Sequence, residues 1–400
     1  MKISKRSHQL PYSPIRKLAP FADAAKKRGI HVIHLNIGQP DIPTPDTFYR
    51  AIREYDNPVL AYGPSNGLPE YRNALVRYYA RYDISLTPEQ VFVTTAGSEA
   101  LLFALLAVAD SGDNVLVMEP FYTNYNGFGA MMGVDVVGVP TRAEDGFQIP
   151  PIEAFTERMT SRTRAIMICN PNNPTGAVYD RESLERLETF ALEHDLFVIS
   201  DEVYREFTYD GSTQVSVMHL DRLGDRAILV DSVSKRYSAC GARIGCLVTR
   251  NSDVLDAVMR MGQARLCPPT LEQIGSMASI DMSQDIMDEI IREYSHRRNV
   301  LLRGLNSIDG VFCEKPMGAF YMMVTLPVRD SDAFARFLLE EFDDRGSTVM
   351  VAPGAGFYAT PGLGTNQVRM AYVLQEAELN RAVEILEKAL VEYTRRERPE

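Results

Sequence analysis

The stretch Asp231-Ser232-Val233-Ser234-Lys235-Arg236-Tyr237-Ser238-Ala239-Cys240-Gly241-Ala242-Arg243-Ile244-Gly245 decides how the chain is read. An apolar segment, Ala227 to Val230, runs into it, and a second, Ile244 to Thr249, leaves it. Two strands flanking a polar, glycine-containing loop describe the carboxyl edge of a sheet, where open α/β proteins bind their ligands. The lysine can form a Schiff base if its surroundings keep the amine unprotonated. The hydroxyls of Ser232 and Ser234 and the guanidinium of Arg243, eight residues after the lysine, are groups that hold a phosphate. Taken alone, the stretch is equally a surface loop with a solvated lysine.

Outward from it, apolar runs recur at Val91 to Thr95, Asn114 to Met118, Asp135 to Val139, Ala165 to Cys169 and Leu196 to Ser200. With the two flanking the lysine loop they make seven strands, some separated by helical patterns such as Leu184, Leu187 and Ala191 after the N-cap candidate Asp180. Runs buried on both faces and alternating with helices imply an α/β fold with a seven-stranded, mostly parallel sheet between helices. The character changes near residue 285. Alternating segments at Ala319 to Leu326, Thr348 to Ala352 and Val368 to Val373, with a final helix near Leu379 to Leu390, imply a smaller α+β domain. The division reads as 1–48 for an N-terminal arm and part of the small domain, 49–284 for the large domain and 285–400 for the rest of the small one. The arm carries Pro11, Pro14 and Pro20, a helix from Phe21 to Arg28 closed by Gly29, and a strand from His31 to Ile37 ending at Gly38.

The ends of these strands are polar. Ala96-Gly97-Ser98 follows Val91 to Thr95 and opens a helix, with Ser98 as the N-cap candidate; that arrangement points free N–H groups at an anion. Glu119-Pro120-Phe121-Tyr122 offers an aromatic face, Asn170-Pro171-Asn172-Asn173-Pro174-Thr175-Gly176 an amide, and Asp201-Glu202-Val203-Tyr204 an acid and a phenol. A phosphate cradle, a stacking ring, an amide, an acid, a phenol and an amine are the parts a pyridoxal phosphate site requires.

At this point the chain resembles the class I/II pyridoxal-phosphate-dependent aminotransferases, the aspartate aminotransferase superfamily of fold type I. The likeness is nearly full length, running from Gly38 through the Tyr62 loop, Asn173-Pro174-Thr175-Gly176, Asp201 to Tyr204 and Ser232 to Arg243 to Gln367-Val368-Arg369-Met370. The resemblance implies that Lys235 holds pyridoxal 5'-phosphate as an internal aldimine and shuttles the substrate proton. It implies that Asp201 pairs with the pyridine nitrogen, that Tyr204 and Asn173 bond the ring hydroxyl, and that Tyr122 stacks on the ring. Ala96, Gly97, Ser98, Ser232, Ser234 and Arg243 bind the phosphate in this reading. Tyr62 reaches it from a neighbouring subunit, which implies a homodimer with shared active sites. Arg369 clamps the substrate α-carboxylate, helped by Asn173 and the backbone at Gly38. Dicarboxylate-specific members carry a second arginine in the region matching Gly262 to Pro269, and Arg265 is the candidate there.

The leading substrate pair is aspartate with 2-oxoglutarate, ahead of aromatic or small aliphatic amino acids. A lyase or cyclase on the same fold is the alternative. A regulator that keeps the module as a sensor needs a DNA-binding domain ahead of it, and only about 45 residues precede the first motif. The net charge of −11 argues against nucleic-acid and acidic-membrane partners. Five cysteines (Cys169, Cys240, Cys246, Cys267 and Cys313), an odd number without a CxxC pair, fit a reducing cytoplasm and exclude a disulfide framework or a zinc site. No apolar run approaches the roughly 18 residues of a membrane span. Gly354-Ala355-Gly356-Phe357-Tyr358-Ala359 matches a dinucleotide fingerprint, but Pro361 and Gly362 cannot open the helix it needs. No phosphate-binding GxxxxGK[ST] motif occurs.

Overall fold

The computed structural model describes residues 2–397; Met1 and residues 398–400, the outer ends of the two terminal ranges above, lie outside the described residues. In chain order the strands are β1 (His31–His34), β2 (Val91–Thr94), β3 (Asn114–Glu119), β4 (Asp135–Pro140), β5 (Thr163–Cys169), β6 (Phe197–Asp201), β7 (Ala227–Ser232), β8 (Gly245–Thr249), β9 (Tyr321–Thr325), β10 (Ser347–Met350), β11 (Ala352–Pro353) and β12 (Gln367–Ala371). Strands β2 to β8 form one seven-stranded sheet in the order β2-β8-β7-β6-β5-β3-β4. Six of the seven share one direction, and β8 runs against its neighbours β7 and β2. All seven expected strands are therefore present, within about two residues at each end.

Every residue of β2, β3, β7 and β8 is buried, which explains why these strands read as unbroken apolar runs. One face packs on the helix Ala96–Val108 through Leu101, Ala104 and Leu105. The other packs on the helices Pro69–Ala80 and Arg181–Glu193 through Tyr71, Leu75, Leu184 and Leu187. Both begin as the sequence indicates, with Pro69 in the first turn of one and Asp180 accepting from Ser183 N–H at 2.7 Å at the start of the other.

The smaller α+β part joins both ends of the chain. β1 pairs in parallel with β10, and β12 lies between β11 and β9, antiparallel to both. A second core contains Leu18, Ala22 and Val32 from the arm, and Leu338, Met370, Ile385 and Leu386 from the C-terminal segment. The closing helix, Glu376–Glu397, is longer than the apolar pattern alone marked. β1 stops at His34 rather than Ile37, because the chain beyond it turns toward the sheet edge and Asn36 gives its carbonyl to Arg369. Among the described residues no helix is long and apolar enough to cross a membrane.

Candidate active site

β7 delivers the lysine. Its last residue, Ser232, caps a single helical turn, Val233–Arg236, by accepting from Ser234 N–H at 3.1 Å. Ser232 Oγ also lies 2.8 Å from Ser234 Oγ, so the two hydroxyls form one polar pair. Behind the turn is a buried ionic network. Arg236 donates from Nε to Glu206 Oε1 at 2.6 Å and pairs through Nη2 with Asp231; Tyr79 donates to the same Asp231 oxygen at 3.0 Å. Every member is nearly sealed from water, so the turn that carries Lys235 is anchored from below by charges that cannot separate cheaply.

Lys235 Nζ projects from this turn and donates to the carbonyl of Gly38 at 2.8 Å, with Cys240 Sγ at 3.8 Å. It faces a cavity of about 560 Å³ at the carboxyl edge of the sheet. Ala96, Gly97, Ser98, Tyr122, Asn173, Asp201, Tyr204, Ser232, Ser234, Arg243, Arg369 and Gly38 all line the same cavity, so these expected site residues converge on the lysine.

Asp201 closes the floor. It is 6% exposed; Oδ2 accepts from Tyr125 at 3.0 Å and Oδ1 from Val203 N–H at 3.4 Å. Burial pushes its carboxyl up to about 6, against the lowering effect of those two hydrogen bonds. It has no ion-pair partner among the described residues. A protonated ring nitrogen is the kind of partner it lacks, and the donor set around it therefore fits a pyridinium. Tyr204 donates to Tyr321 Oη at 3.1 Å and accepts from Asn173 Nδ2 at 3.4 Å, which keeps amide and phenol on one side of the cavity. Tyr122 presents a ring fixed edge-on to Tyr125 at 5.6 Å and a phenol pushed up to about 12, chiefly by burial.

The anion cradle follows from backbone geometry. The helix Ala96–Val108 opens at Ala96 itself, whose φ of 66° is left-handed, with Thr95 in the capping position. Ser98 is therefore in the first helical turn and is not the N-cap. Thr95 N–H is taken by Glu99 Oε2 at 2.7 Å, and the first-turn N–H groups after it have no intrahelical acceptor. Gly245 makes the cradle possible. A Cβ there would lie 2.6 Å from the backbone of Ala96 and of Asp231. Arg243, also at positive φ, is exposed, and its Nη1 donates to Cys240 O at 2.8 Å.

Arg369 is 2% exposed, with Nη1 donating to Asn173 Oδ1 at 3.0 Å and Nη2 to Asn36 O at 2.7 Å. Its Nε is buried without an acceptor, and its guanidinium lies 4.4 Å from the centre of the Tyr321 ring. Burial disfavours its charge, so an anion entering the cavity gains from it.

Two expected residues are not brought to this cavity. Arg265 ends the helix Ser252–Arg265 with Nε 3.3 Å from Glu99 Oε1 and Nη2 donating to the carbonyls of Ser65 and Val93 at 3.3 Å. Its guanidinium pairs with that carboxylate and is not among the residues that line this cavity. Tyr62 is 81% exposed and lies outside the lining. Gly38 contributes its carbonyl to the lysine and, at 3.4 Å, to Tyr321, whereas Asn36 supplies the backbone contact to Arg369. Sequence reasoning missed Tyr125, Tyr321 and Asn36. Tyr125 lies in the first turn of the helix Asn124–Met132, just after Tyr122, but nothing local aims it at Asp201.

Comparison with known proteins matches residues 30–386 to the family described as aminotransferase class I and II. The aspartate aminotransferase of Bacillus subtilis is 31% identical, over 98% of this chain and 100% of that protein. Aromatic-amino-acid aminotransferase 2 of Thermococcus litoralis is 31% identical, over 98% and 99%. The solved alanine aminotransferase from Pyrococcus furiosus superposes with a TM-score of 0.89 at 33% identity, over 98% of this chain and 100% of that one. The chain belongs to the class I and II aminotransferases, the pyridoxal-phosphate-dependent transferases of fold type I.

Proposed function

We propose that the protein binds pyridoxal 5'-phosphate in the Lys235 cavity and moves an amino group between an L-amino acid and a 2-oxo acid by a ping-pong cycle. Aspartate with 2-oxoglutarate is the leading pair, ahead of aromatic and small aliphatic amino acids. The observation that carries the reading is the convergence of one lysine, one buried uncompensated carboxylate and one buried arginine on a single cavity.

When bound, the cofactor supplies an electron sink for the charge that develops at substrate Cα. Lys235 would hold its aldehyde, Asp201 its ring nitrogen, Tyr204 and Asn173 its ring hydroxyl, and Tyr122 one ring face. The N–H groups from Ala96 to Ser98, the Ser232 and Ser234 hydroxyls and Arg243 would hold the phosphate. Arg369 binds the α-carboxylate and orients Cα toward Lys235 Nζ, which, once free, moves the proton on that carbon. Tyr122, Tyr204 and Tyr321 line the cavity, and the fully buried Tyr125 and Phe320 stand behind it, Phe320 with its ring centre 5.8 Å from Lys235 Nζ. Tyr62 of a second copy would complete the phosphate site in a homodimer; Val59, Leu60 and Tyr62 are exposed apolar residues in the segment that such a copy would cover. The cytoplasm is the compartment that suits the free thiols of Cys169, Cys246 and Cys313.

The test is a panel of single amino acids mixed with the loaded enzyme. Transamination predicts one equivalent of 2-oxo acid per site and no ammonia; ammonia release would favour elimination instead. Lys235→Ala should lose turnover and covalent cofactor retention after borohydride while keeping its circular dichroism spectrum. A variant that still turned over would remove Lys235 from the chemistry.

A further inference from the structure

With Arg265 bound to Glu99, the cavity needs another explanation for any acidic side chain it accepts. Its lining contains four cations, Arg16, Lys235, Arg243 and Arg369, and two carboxylates, Asp23 and Asp201. Three of the cations are committed. Lys235 bonds to Gly38, Arg243 stands at the anion cradle and bonds to Cys240 O, and Arg369 is held by Asn173 and Asn36. Arg16 differs. It lies in the N-terminal arm, just before the helix Ala19–Lys27, it is exposed, and its guanidinium has no hydrogen-bond or ion-pair partner among the described residues.

Arg16, Arg369 and Tyr122 line the same cavity, and the charges of both guanidiniums bear on the Tyr122 phenol. Asp23, the lining's other carboxylate besides Asp201, bears on His34, which lines the cavity too. Arg16 is therefore the uncommitted cation of the lining that also holds Arg369, and Lys17 beside it is already paired with Asp332. A planar guanidinium with two free edges matches a carboxylate better than any other small anion in an amino-acid side chain.

We infer that Arg16 reads the distal carboxylate of a dicarboxylic substrate while Arg369 holds the α-carboxylate, which makes this arm residue the determinant of acidic specificity. The inference rests on the transamination reading above and narrows its substrate class to four- or five-carbon dicarboxylates. Because Arg16 is contributed by a segment outside the seven-stranded sheet, selectivity is set by how the arm lies over the cavity. The reacting atoms themselves are held by the sheet.

The experiment compares loaded wild type, Arg16→Ala and Arg16→Lys in two measurements. The first is the ratio of kcat/KM for aspartate to that for alanine; the second is calorimetric binding of succinate against butyrate, neither of which can react. Arg16→Ala should lower the aspartate-to-alanine ratio and the succinate-to-butyrate ratio each by roughly 10- to 100-fold, with Arg16→Lys between. Ratios within threefold of wild type would overturn the inference, as would a wild type that prefers alanine to aspartate. If wild type released no 2-oxo acid from any amino acid, the transamination reading would fall, and the succinate titration would still decide whether Arg16 binds a second carboxylate.

Discussion

Tyr125 donates its phenolic proton to Asp201 Oδ2 at 3.0 Å, inside a wall that excludes water from both groups. This bond holds the carboxylate in place and is the largest influence opposing the upward push of burial. Tyr125→Phe should therefore cost about 1.5–3 kcal/mol of stability at pH 8, where Asp201 is charged, and less than about 1 kcal/mol at pH 4.5, where it is protonated. Urea unfolding of the cofactor-free protein at the two pH values measures both. An equal cost at both would mean that Tyr125 only fills space.

Asp201 itself makes the cofactor-free protein sensitive to pH. Its folded carboxyl titrates near 6, above the 3.8 of an exposed aspartate, so the folded state binds its proton more tightly than the unfolded state does. The sign follows: stability contributed by this group is greatest below pH 3.8 and is lost as pH rises to about 6, by roughly 3 kcal/mol in all. Asp201→Asn should erase that slope, leaving the variant more stable than wild type at pH 8 without cofactor. Subtracting the two stability curves between pH 4 and 8 isolates the effect; a flat difference would contradict it.

Removal of the Arg369 side chain should weaken any α-carboxylate by roughly 3 kcal/mol or more, because it also strands Asn173 Oδ1 and the Asn36 carbonyl. Steady-state kinetics of Arg369→Ala should show kcat/KM reduced at least 100-fold for every amino acid alike. An unchanged KM would take this guanidinium out of the substrate site.

The ionic network below the lysine has a different signature. Asp231→Asn leaves Arg236 with a weaker partner on one side and should cost about 3–5 kcal/mol in thermal or urea unfolding. Glu206 keeps its own bond to Arg236 Nε, so Glu206→Gln combined with Asp231→Asn should cost less than the two changes added. Strict additivity would mean that the two carboxylates act independently.

The large sheet was legible in the sequence because strands such as β3 and β7, buried on both faces, carry unbroken apolar runs in their interiors, Val115 to Met118 and Ala227 to Val230. The residues at their ends were legible for the converse reason: amide, acid, phenol and lysine have no business beside such runs unless something polar sits there. What local pattern could not supply was approach. Tyr321 lies in β9, far along the chain, and reads as one more apolar strand residue until the small part folds over the sheet edge. Arg265 had the right type in the right region, but Glu99 on another helix claims it. Ser98 looked like a cap because serine favours that position, yet the left-handed turn at Ala96 moves the helix start upstream.

The reversed direction of β8 has one more consequence. Since β8 leaves the site where its neighbours arrive, one short connection carries both the amine and the guanidinium, with Gly245 wedged against Ala96 and Asp231 at its far end. In the proposed site that connection would act as a gauge of fixed length between the two groups meant to hold opposite ends of one cofactor. Lengthening it by one residue would change the reach from Lys235 to Arg243 with nothing elsewhere able to compensate, so insertions should be tolerated at many surface turns of this chain and refused here.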